Sequence, residues 1–244
     1  MKIIIEKDYE AMSQHTCHIL LGHMSQAKRV NVCLTAGRTP KRMYDFLVES
    51  VKDKSYYRNV HYYSFDETPV FTPEGVRIKG DNQSQLEALF FKPANIAQSH
   101  SHFLSETNYE TFPQEIELAG GLDLMLVGIG EDGHICANMP ESTQFNQLVY
   151  AIKLTDEFPW NAEYQKSLNG NYSDYMYTLG AKSILKAKHL IMIANGEEKA
   201  DILKQALEGP ISEAIPASMI QLHPNLTVIT DDKAGAKLTL TNLG

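Results

Sequence analysis

The chain has 244 residues, of which 43% are hydrophobic and 21% charged, and its formal net charge at pH 7 is −8. This composition is typical of a globular protein with a sizeable core and argues against intrinsic disorder. The negative charge argues against general nucleic-acid binding, which requires a basic face, so an anionic ligand needs a local cationic site. We expect one domain over residues 1–244, because α/β proteins often reach this length as a single unit.

Cysteine usage and apolar runs bear on the compartment. Cys17, Cys33 and Cys136 are an odd number without metal-ligand spacing, which fits a reducing compartment better than a disulfide framework. The apolar run Met1–Ile5 is too short for a signal peptide, and no run of about 18 apolar residues follows. The expectation is a cytoplasmic protein that does not span a membrane.

Short apolar runs alternate with helical patterns along the chain, which is typical of βαβ units and a largely parallel sheet. The runs are β-branched or otherwise strongly apolar, as suits strands buried on both faces. In chain order the predicted strands are Lys2–Ile5, Val30–Leu34, Val60–Phe65, Leu122–Val127, Val149–Leu154, Leu190–Ala194 and Leu226–Thr230.

The predicted helices repeat apolar residues every three or four positions, as helices packed on a sheet do. They are Tyr9–Met24, Pro40–Val51, Gln83–Phe91 and Glu197–Leu207. Thr39 places a capping hydroxyl before Pro40, and Gly209 follows the last helix. The polar, aromatic-rich segment Asp156–Asp174 breaks the alternation, and is either a lid over a site or a solvated connection.

Ligands of open parallel sheets bind beyond the carboxyl ends of the strands, so functional residues are sought there. The first such junction, residues 35–42, is a small-residue turn before a helix. Its free backbone N–H groups and the helix dipole favour an anion, with added contacts from Thr35, Arg38 and Thr39. The junction is therefore either a phosphate site or a capped helix with solvated basic residues.

Two carboxylates, Asp66 and Glu67, follow the third predicted strand. Neighbouring residues of an extended chain point to opposite faces, so at most one of them can face the cleft. A buried carboxylate beside a substrate can carry a proton, whereas the alternative is an ordinary turn.

The fourth predicted strand runs into the sequence GIGEDGH at 128–134. Asp132 can orient His134 and make it a general base near neutral pH, although a lone loop histidine usually has no such role. The glycine spacing matches a dinucleotide-binding turn, but Pro140 prevents the long helix that this motif requires.

At the fourth junction, Lys199 stands in a first helical turn, where the helix dipole disfavours a cation. An anion bound nearby would explain this position, and a solvated surface lysine is the alternative. No metal-ligand spacing surrounds the carboxylates, and Cys136 lies too close to His134 in one loop to use it as a base. We therefore expect neither a metal nor a cofactor.

These junctions form an ordered set of motifs over nearly the whole chain. They read LTAGRTP at 34–40, FDE at 65–67, GLDL at 121–124, GIGEDGHI at 128–135, GEEKA at 196–200 and QLHP at 221–224. In this order they resemble the glucosamine/galactosamine-6-phosphate isomerase (deaminase) and 6-phosphogluconolactonase superfamily. The resemblance implies a Rossmann-like three-layer α/β/α sandwich, with its active site at the carboxyl ends of the strands.

By position, the resemblance implies a phosphate cradle formed by Gly37, Arg38 and Thr39, with Lys199 reaching the phosphate from the other side. Arg38 stands where the family usually has a glycine or serine, so it either strengthens anion binding or crowds it. Lys166 is a weak substitute for an arginine that deaminases bring to the phosphate.

The resemblance also implies catalytic roles. In the deaminases, the aspartate matching Asp66 moves a proton between C1 and C2 of the open-chain sugar. The histidine matching His134 assists ring opening, and Asp132 would support His134 or that step. In the lactonases the same histidine activates water against a sugar lactone.

Departures from the family pattern separate these activities. Deaminases carry a glutamate after Asn138, where this chain has Met139, and Glu141 is a candidate replacement from two residues farther on. Lactonases also have an apolar residue at this position, and their GEDGH motif is matched by residues 130–134. Glu67 and Asn138 are further candidate substrate contacts.

The leading hypothesis is an aldose–ketose isomerase or deaminase that acts on an amino-sugar 6-phosphate. One alternative is a 6-phosphogluconolactonase-type hydrolase, and another is a non-catalytic paralogue that binds sugar phosphates. The expected partner is a small sugar phosphate, and no nucleic acid or membrane is expected. A homo-oligomer is possible on the sequence alone.

Overall fold

The computed structural model describes residues 1–158, 160–168 and 171–239. Its strands alternate with helices over most of this range, as the sequence predicts. The strands are β1 (Lys2–Glu6), β2 (Val30–Cys33), β3 (Val60–Tyr63), β4 (Asp66–Glu67), β5 (Val70–Phe71), β6 (Arg77–Ile78), β7 (Ser101–His102), β8 (Leu124–Val127), β9 (Val149–Lys153), β10 (Tyr175–Leu179), β11 (Leu190–Ala194) and β12 (Leu226–Asp231).

Helices connect most of these strands. The α-helices are α1 (Tyr9–Met24), α2 (Lys41–Val51), α3 (Asp81–Leu86), α4 (Phe112–Leu118), α5 (Asn161–Ser167), α6 (Ala181–Ile184), α7 (Ala200–Glu208) and α8 (Asp232–Gly235). A wider π-helical turn, Glu87–Phe91, extends α3, and 3-10 turns lie at Ser55–Tyr57, Gln98–His100, Glu197–Lys199 and Pro216–Leu222.

Seven strands form one parallel sheet in the spatial order β1-β12-β11-β8-β2-β3-β7. Successive side chains of a strand point to opposite faces. In β8, Leu124 and Leu126 join the core formed with α1, α2 and α3, whereas Met125 and Val127 join the core formed with α4, α6 and α7. Helices cover both faces of the sheet, and the predicted three-layer α/β/α sandwich is confirmed.

The predicted strand Val149–Leu154 forms, but the expectation that it belongs to the parallel sheet is wrong. As β9, it pairs antiparallel with β10, which pairs antiparallel with β4 in a second, three-stranded sheet. Within β9 only Ile152 is buried, while Ala151 and Lys153 are exposed. Such alternation suits an antiparallel sheet with one solvated face, whereas a central parallel strand is apolar throughout.

The second sheet lies against the carboxyl edge of the first. Asp66 pairs with Thr178 of β10, and the Leu179 N–H donates to the Phe65 carbonyl at 2.7 Å. The Thr178 hydroxyl in turn accepts a hydrogen bond from the Ala137 N–H at 3.1 Å. This small sheet therefore fixes the chain directly after β3 and ties it to the loop after β8.

The first two predicted helices form with small differences at their ends. α1 has the predicted bounds, and the Asp8 carboxylate caps it by accepting from the Ala11 N–H at 2.7 Å. α2 begins at Lys41, and the predicted capping by the Thr39 hydroxyl is wrong. Pro40 is itself the residue that precedes the helix, so Thr39 lies one position too early to cap it.

The later helices begin at other residues than predicted. The helix predicted at Gln83–Phe91 starts two residues earlier, at Asp81, where the Glu67 carboxylate accepts from its first N–H groups. The helix predicted from Glu197 starts as a tight turn, after which α7 runs to Glu208 and Gly209 follows as expected. Helix starts set by distant side chains cannot be read from local sequence.

Within the described ranges, no helix is both long and apolar enough to cross a membrane.

The core of β8 gives a test of the two-faced packing. Leu126 is fully buried, whereas Leu118 at the end of α4 is 82% exposed. We expect Leu126→Ala to lower the free energy of unfolding by about 2–5 kcal/mol, because it leaves a cavity in the core. Urea denaturation followed by circular dichroism measures this change, with Leu118→Ala as the matched control that stays near wild type. Equal stability of both variants would contradict the described core.

Candidate active site

The carboxyl edge of the parallel sheet carries the residues singled out in the sequence. The turn after β2 contains Thr35, Gly37, Arg38 and Thr39, and β4 follows β3 after two residues. The loop after β8 carries the Asp-Gly-His sequence, and the turn after β11 carries a lysine. Because parallel strands end at the same edge, four segments distant in sequence meet there.

Asp132 and His134 form a close pair in the loop after β8. Their Oδ1 and Nδ1 atoms are 2.6 Å apart, and the His134 N–H also donates to Oδ1 at 3.1 Å. Burial raises the pKa of Asp132, but the hydrogen bonds and the charge of His134 outweigh it and lower that pKa to about 2. The carboxylate is therefore ionised at neutral pH and holds the imidazole with Nδ1 toward it.

Glycines leave the space that this pair occupies. A Cβ atom on Gly130 would lie 2.2 Å from His134 Nδ1 and 2.5 Å from Asp132 Oδ1. Gly133 has φ +87°, a backbone conformation that favours glycine. The GIGEDGH sequence thus builds a carboxylate–imidazole turn, which explains its glycine spacing without a dinucleotide.

Asp66 is the buried carboxylate of the site. It is 9% exposed, and among the described residues Asn82 donates to it from Nδ2 at 2.7 Å. Burial, followed by the nearby carboxylates of Glu67 and Asp81, raises the pKa of Asp66 well above its usual range. A carboxyl group with a raised pKa is a stronger base than an ordinary aspartate and can take up and release a proton.

Glu67, the neighbour of Asp66 in β4, is bound by other donors. It is 1% exposed, and its carboxylate accepts from the N–H groups of Thr68, Asn82 and Gln83 at 2.8–2.9 Å. Burial raises the pKa of Glu67 to about 7, although these N–H groups oppose the shift. Glu67 therefore caps α3, and its role as a substrate contact stays a prediction.

The turn after β2 is clamped from three sides. Gly37 has φ +96°, and its N–H donates to Gln85 Oε1 at 3.1 Å. The Thr35 carbonyl accepts from the Tyr44 hydroxyl at 2.6 Å, and the Thr39 carbonyl accepts from the Tyr9 hydroxyl at 3.0 Å. Packing of α1, α2 and α3 therefore sets the shape of the turn.

Two cations from different loops converge on Glu131. Its Oε1 lies 3.9 Å from Arg38 Nη2 and 4.0 Å from Lys199 Nζ. Burial lowers the pKa of Lys199, although Glu131 and other acids oppose this. A carboxylate thus lies between the two predicted phosphate-binding cations, where their charges attract an anion.

Asn138 and Met139 lie inside the protein. Asn138 is fully buried; its side chain donates to the carbonyls of Ile135 and Leu179 and accepts from the Tyr150 hydroxyl at 2.8 Å. Met139 is 2% exposed and packs in an apolar cluster with Ile152 and other residues beneath the second sheet. Asn138 is placed to hold the loop after β8, and Met139 brings no charge to His134.

The structure does not join Glu141 or Lys166 to the site. Both side chains are exposed, and within the described residues neither makes a hydrogen bond or ion pair with His134 or Lys199. Glu141 has φ +61° on an exposed turn, and Lys166 lies on α5.

Aromatic residues of the segment 156–174 lie beside His134. The sequence predicts this segment as a whole but not which of its residues reach the site. The Trp160 ring meets the His134 ring edge-on, with centroids 6.2 Å apart, and stacks on Phe158 at 5.5 Å. Tyr164 packs edge-on against Trp160 at 5.7 Å. Residue 159 and residues 169–170 of the segment 156–174 fall outside the described ranges, and the lid stays a prediction.

The remaining titratable clusters and the free thiol of the loop after β8 complete the description of this edge. No cluster of His, Cys, Asp or Glu side chains in the described part of the chain has the geometry of a metal site. Burial, Asp66 and Cys33 raise the pKa of the Cys136 thiol well above its usual range, so it is not a ready thiolate nucleophile.

The space left by Gly130 gives a test of the Asp132–His134 pair. We expect Gly130→Ala to raise the pKa of Asp132 from about 2 toward the usual value of about 3.9, because the new methyl group separates the two side chains. A carboxyl carbon-13 NMR titration measures this pKa. Gly128→Ala is the matched control, since no atom lies within 4 Å of its added Cβ. An Asp132 pKa that is the same in Gly130→Ala as in wild type would contradict pairing with His134 as the cause of the lowered value.

The chain is similar to known sugar-phosphate enzymes over nearly its whole length. The family described as glucosamine-6-phosphate isomerases/6-phosphogluconolactonase matches residues 7–229. A glucosamine-6-phosphate deaminase of Bacillus velezensis is 31% identical, over 96% of this chain and 98% of its own length. One from Shouchella clausii is 29% identical, over 98% of each chain.

Solved structures with the same fold include both branches of this family. A monomeric glucosamine-6-phosphate deaminase superposes with a TM-score of 0.83 at 25% identity, covering 98% of this chain and 100% of that one. A 6-phosphogluconolactonase from Trypanosoma cruzi superposes with a TM-score of 0.73 at 18% identity, covering 98% and 97%, and shows the fold alone. The chain belongs to the glucosamine-6-phosphate isomerase/6-phosphogluconolactonase family.

Proposed function

We propose that the protein is an aldose–ketose isomerase or deaminase of an amino-sugar 6-phosphate, with glucosamine 6-phosphate as the first substrate to test. The observation that carries this proposal is the buried Asp66 carboxyl group, with its raised pKa, at the same sheet edge as the Asp132–His134 pair. Full-length relatives named glucosamine-6-phosphate deaminase support the choice of substrate.

The phosphate would bind at the turn after β2. Arg38 and Lys199 provide two positive charges that meet at one carboxylate, Glu131. A phosphate dianion carries more charge than this carboxylate and offers more acceptor oxygens, so it can replace Glu131 between the cations. Anchoring the phosphate would hold the other end of the sugar beside the carboxyl and imidazole groups.

Ring opening is assigned to the Asp132–His134 pair. It requires a proton to leave the C1 hydroxyl and a proton to reach the ring oxygen. An imidazole can move protons in both directions, and the ionised Asp132 stabilises its charged form.

Proton transfer between carbons is assigned to Asp66. The ionised carboxylate takes the proton from C2 of the open-chain aldose while the His134 imidazolium protonates the C1 oxygen, which gives an enolamine. Asp66 then returns the proton to C1 and the amino nitrogen gives a proton back to the imidazole, which leaves a hydroxyl at C1 and an imine at C2. Addition of water to this imine and loss of ammonia give the ketose 6-phosphate. A carboxyl group with a raised pKa is a stronger base than an ordinary aspartate, which suits removal of a carbon-bound proton.

A second candidate function follows from Met139, which brings no carboxylate to His134. With Asp132 alone behind it, the imidazole can activate a water molecule against the carbonyl of a sugar lactone. This would be a 6-phosphogluconolactonase-type hydrolysis, which does not use Asp66 as a base. A protein that binds both sugar phosphates and converts neither would be a non-catalytic paralogue.

Replacement of Asp66 separates the two activities. We expect wild type to release ammonia from glucosamine 6-phosphate, and Asp66→Asn to lower kcat by at least about 100-fold, because an amide cannot accept the proton. A coupled ammonia assay measures turnover, and calorimetry with a hexitol 6-phosphate verifies that binding survives.

Asp45→Asn on the exposed face of α2 serves as the control with wild-type turnover. Undiminished ammonia release by Asp66→Asn would remove Asp66 from the assigned role. Acid production from 6-phosphogluconolactone without ammonia release would favour the hydrolase.

The pH dependence tests the environment of Asp66. As a base it works when ionised, and burial raises its pKa, so kcat/KM should fall as the pH drops through this raised value. Asn82 donates to the carboxylate and favours its ionised form. We therefore expect Asn82→Leu to move the acid limb of kcat/KM upward by about one pH unit.

Gln83→Leu is the matched control, because the Gln83 side chain bonds Glu87 on the same helix and not Asp66. The ionisation of the substrate phosphate is common to all three proteins and cancels in the comparison. An acid limb that stays in place in Asn82→Leu would argue against Asp66 as the group that sets it.

A further inference from the structure

A chain of hydrogen bonds runs from the phosphate turn to the aromatic residues beside His134. The Gly37 N–H donates to Gln85 Oε1 at 3.1 Å, and Gln85 Nε2 donates to Asp81 Oδ2 at 3.0 Å. The Tyr164 hydroxyl donates to the same Oδ2 atom at 3.0 Å. We call these four residues, Gly37, Gln85, Asp81 and Tyr164, the relay.

The middle of the relay is firmly placed. Asp81 and Gln85 lie one turn apart on α3, so their side chains share one face of the helix. The buried Glu67 carboxylate caps this helix and fixes its position next to Asp66. Gln85 and Tyr164 thus share one acceptor, the Oδ2 atom of Asp81.

The far end of the relay reaches the catalytic imidazole through ring contacts. Burial, followed by Asp81, raises the pKa of Tyr164 well above its usual range, so its hydroxyl keeps the proton that it donates. The Tyr164 ring packs against Trp160, and Trp160 meets the edge of the His134 ring. The Tyr164 ring thus contacts Trp160 directly while its hydroxyl is bound to Asp81.

We propose that Gln85 and Asp81 are positioning residues that couple occupancy of the phosphate turn to the placement of Trp160 beside His134. A backbone N–H has one hydrogen, so a phosphate oxygen that takes the Gly37 N–H displaces Gln85 Oε1. The released amide changes its hydrogen bond to Asp81, and Tyr164 and Trp160 follow. The ligand in this proposal rests on the proposed function, whereas the coupling rests on the contacts alone.

Trp160 reports on the relay directly, because it is the one tryptophan of the 244-residue chain. The experiment titrates wild type, Gln85→Leu, Tyr164→Phe and the double variant with glucitol 6-phosphate, and again with inorganic phosphate. Calorimetry gives the affinity, and tryptophan emission gives the response of Trp160. Gln83→Leu and Tyr172→Phe are matched controls, on α3 and in the aromatic cluster respectively.

We expect ligand to change the emission of wild type and of both controls. Gln85→Leu and Tyr164→Phe should lose that change while their affinities differ from wild type by no more than about tenfold, the effect of one hydrogen bond. The double variant should resemble the single variants, because residues in one network are not additive. A wild-type emission change in either single variant, or fully additive effects on affinity, would overturn the proposal.

Failure of the proposed function gives a different result. If wild type shows no calorimetric binding of either ligand, the sugar-phosphate function is lost, and the relay is judged on the unliganded protein. Acrylamide should then quench Trp160 more strongly in Gln85→Leu and Tyr164→Phe than in wild type or the controls. Equal quenching in all five proteins would overturn the relay itself.

Discussion

Parallel pairing of β2, β3, β8 and β11 is the constraint from which the site follows. Each of these strands is buried on both faces, so its register is held by apolar packing from two layers of helices. All four carboxyl ends therefore lie at one edge, with a cation-bearing turn, a carboxylate pair and a carboxylate–imidazole loop beyond them. A fold with antiparallel neighbours would place every second junction at the opposite edge.

Three carboxylates with different hydrogen-bond donors lie at this edge of the sheet. Glu67 gives its oxygens to backbone N–H groups and so fixes α3, whereas Asp66 accepts one side-chain hydrogen bond and keeps a raised pKa. Asp132 is held ionised by His134. The three acidic residues thus differ because their hydrogen-bond donors differ. Glu67 is bound by backbone N–H groups, Asp66 by an amide side chain and Asp132 by an imidazole.

The sequence predicts the central strands and the four junctions well, because apolar runs and glycine-bounded turns are local signals. It wrongly assigns β9 to the parallel sheet, because the half-buried pattern of β9 suits the second, antiparallel sheet. It also does not predict the short elements α4, α6 and β7. Within the site, the Asp132–His134 pair follows from spacing. The contacts of Gln85 and Trp160 do not, since they join segments far apart in sequence through side chains that no motif marks.

Charge placement sets the direction in which a substrate would lie. Arg38 and Lys199 meet at Glu131, and under the proposed function the phosphate would bind there while the reacting carbons would lie beside Asp66 and His134. The most direct test is a structure of the protein bound to glucitol 6-phosphate. The account predicts the phosphate between Arg38 and Lys199 in place of the Glu131 carboxylate, with C1 and C2 beside Asp66. A phosphate bound elsewhere, or a sugar chain turned away from Asp66, would contradict it.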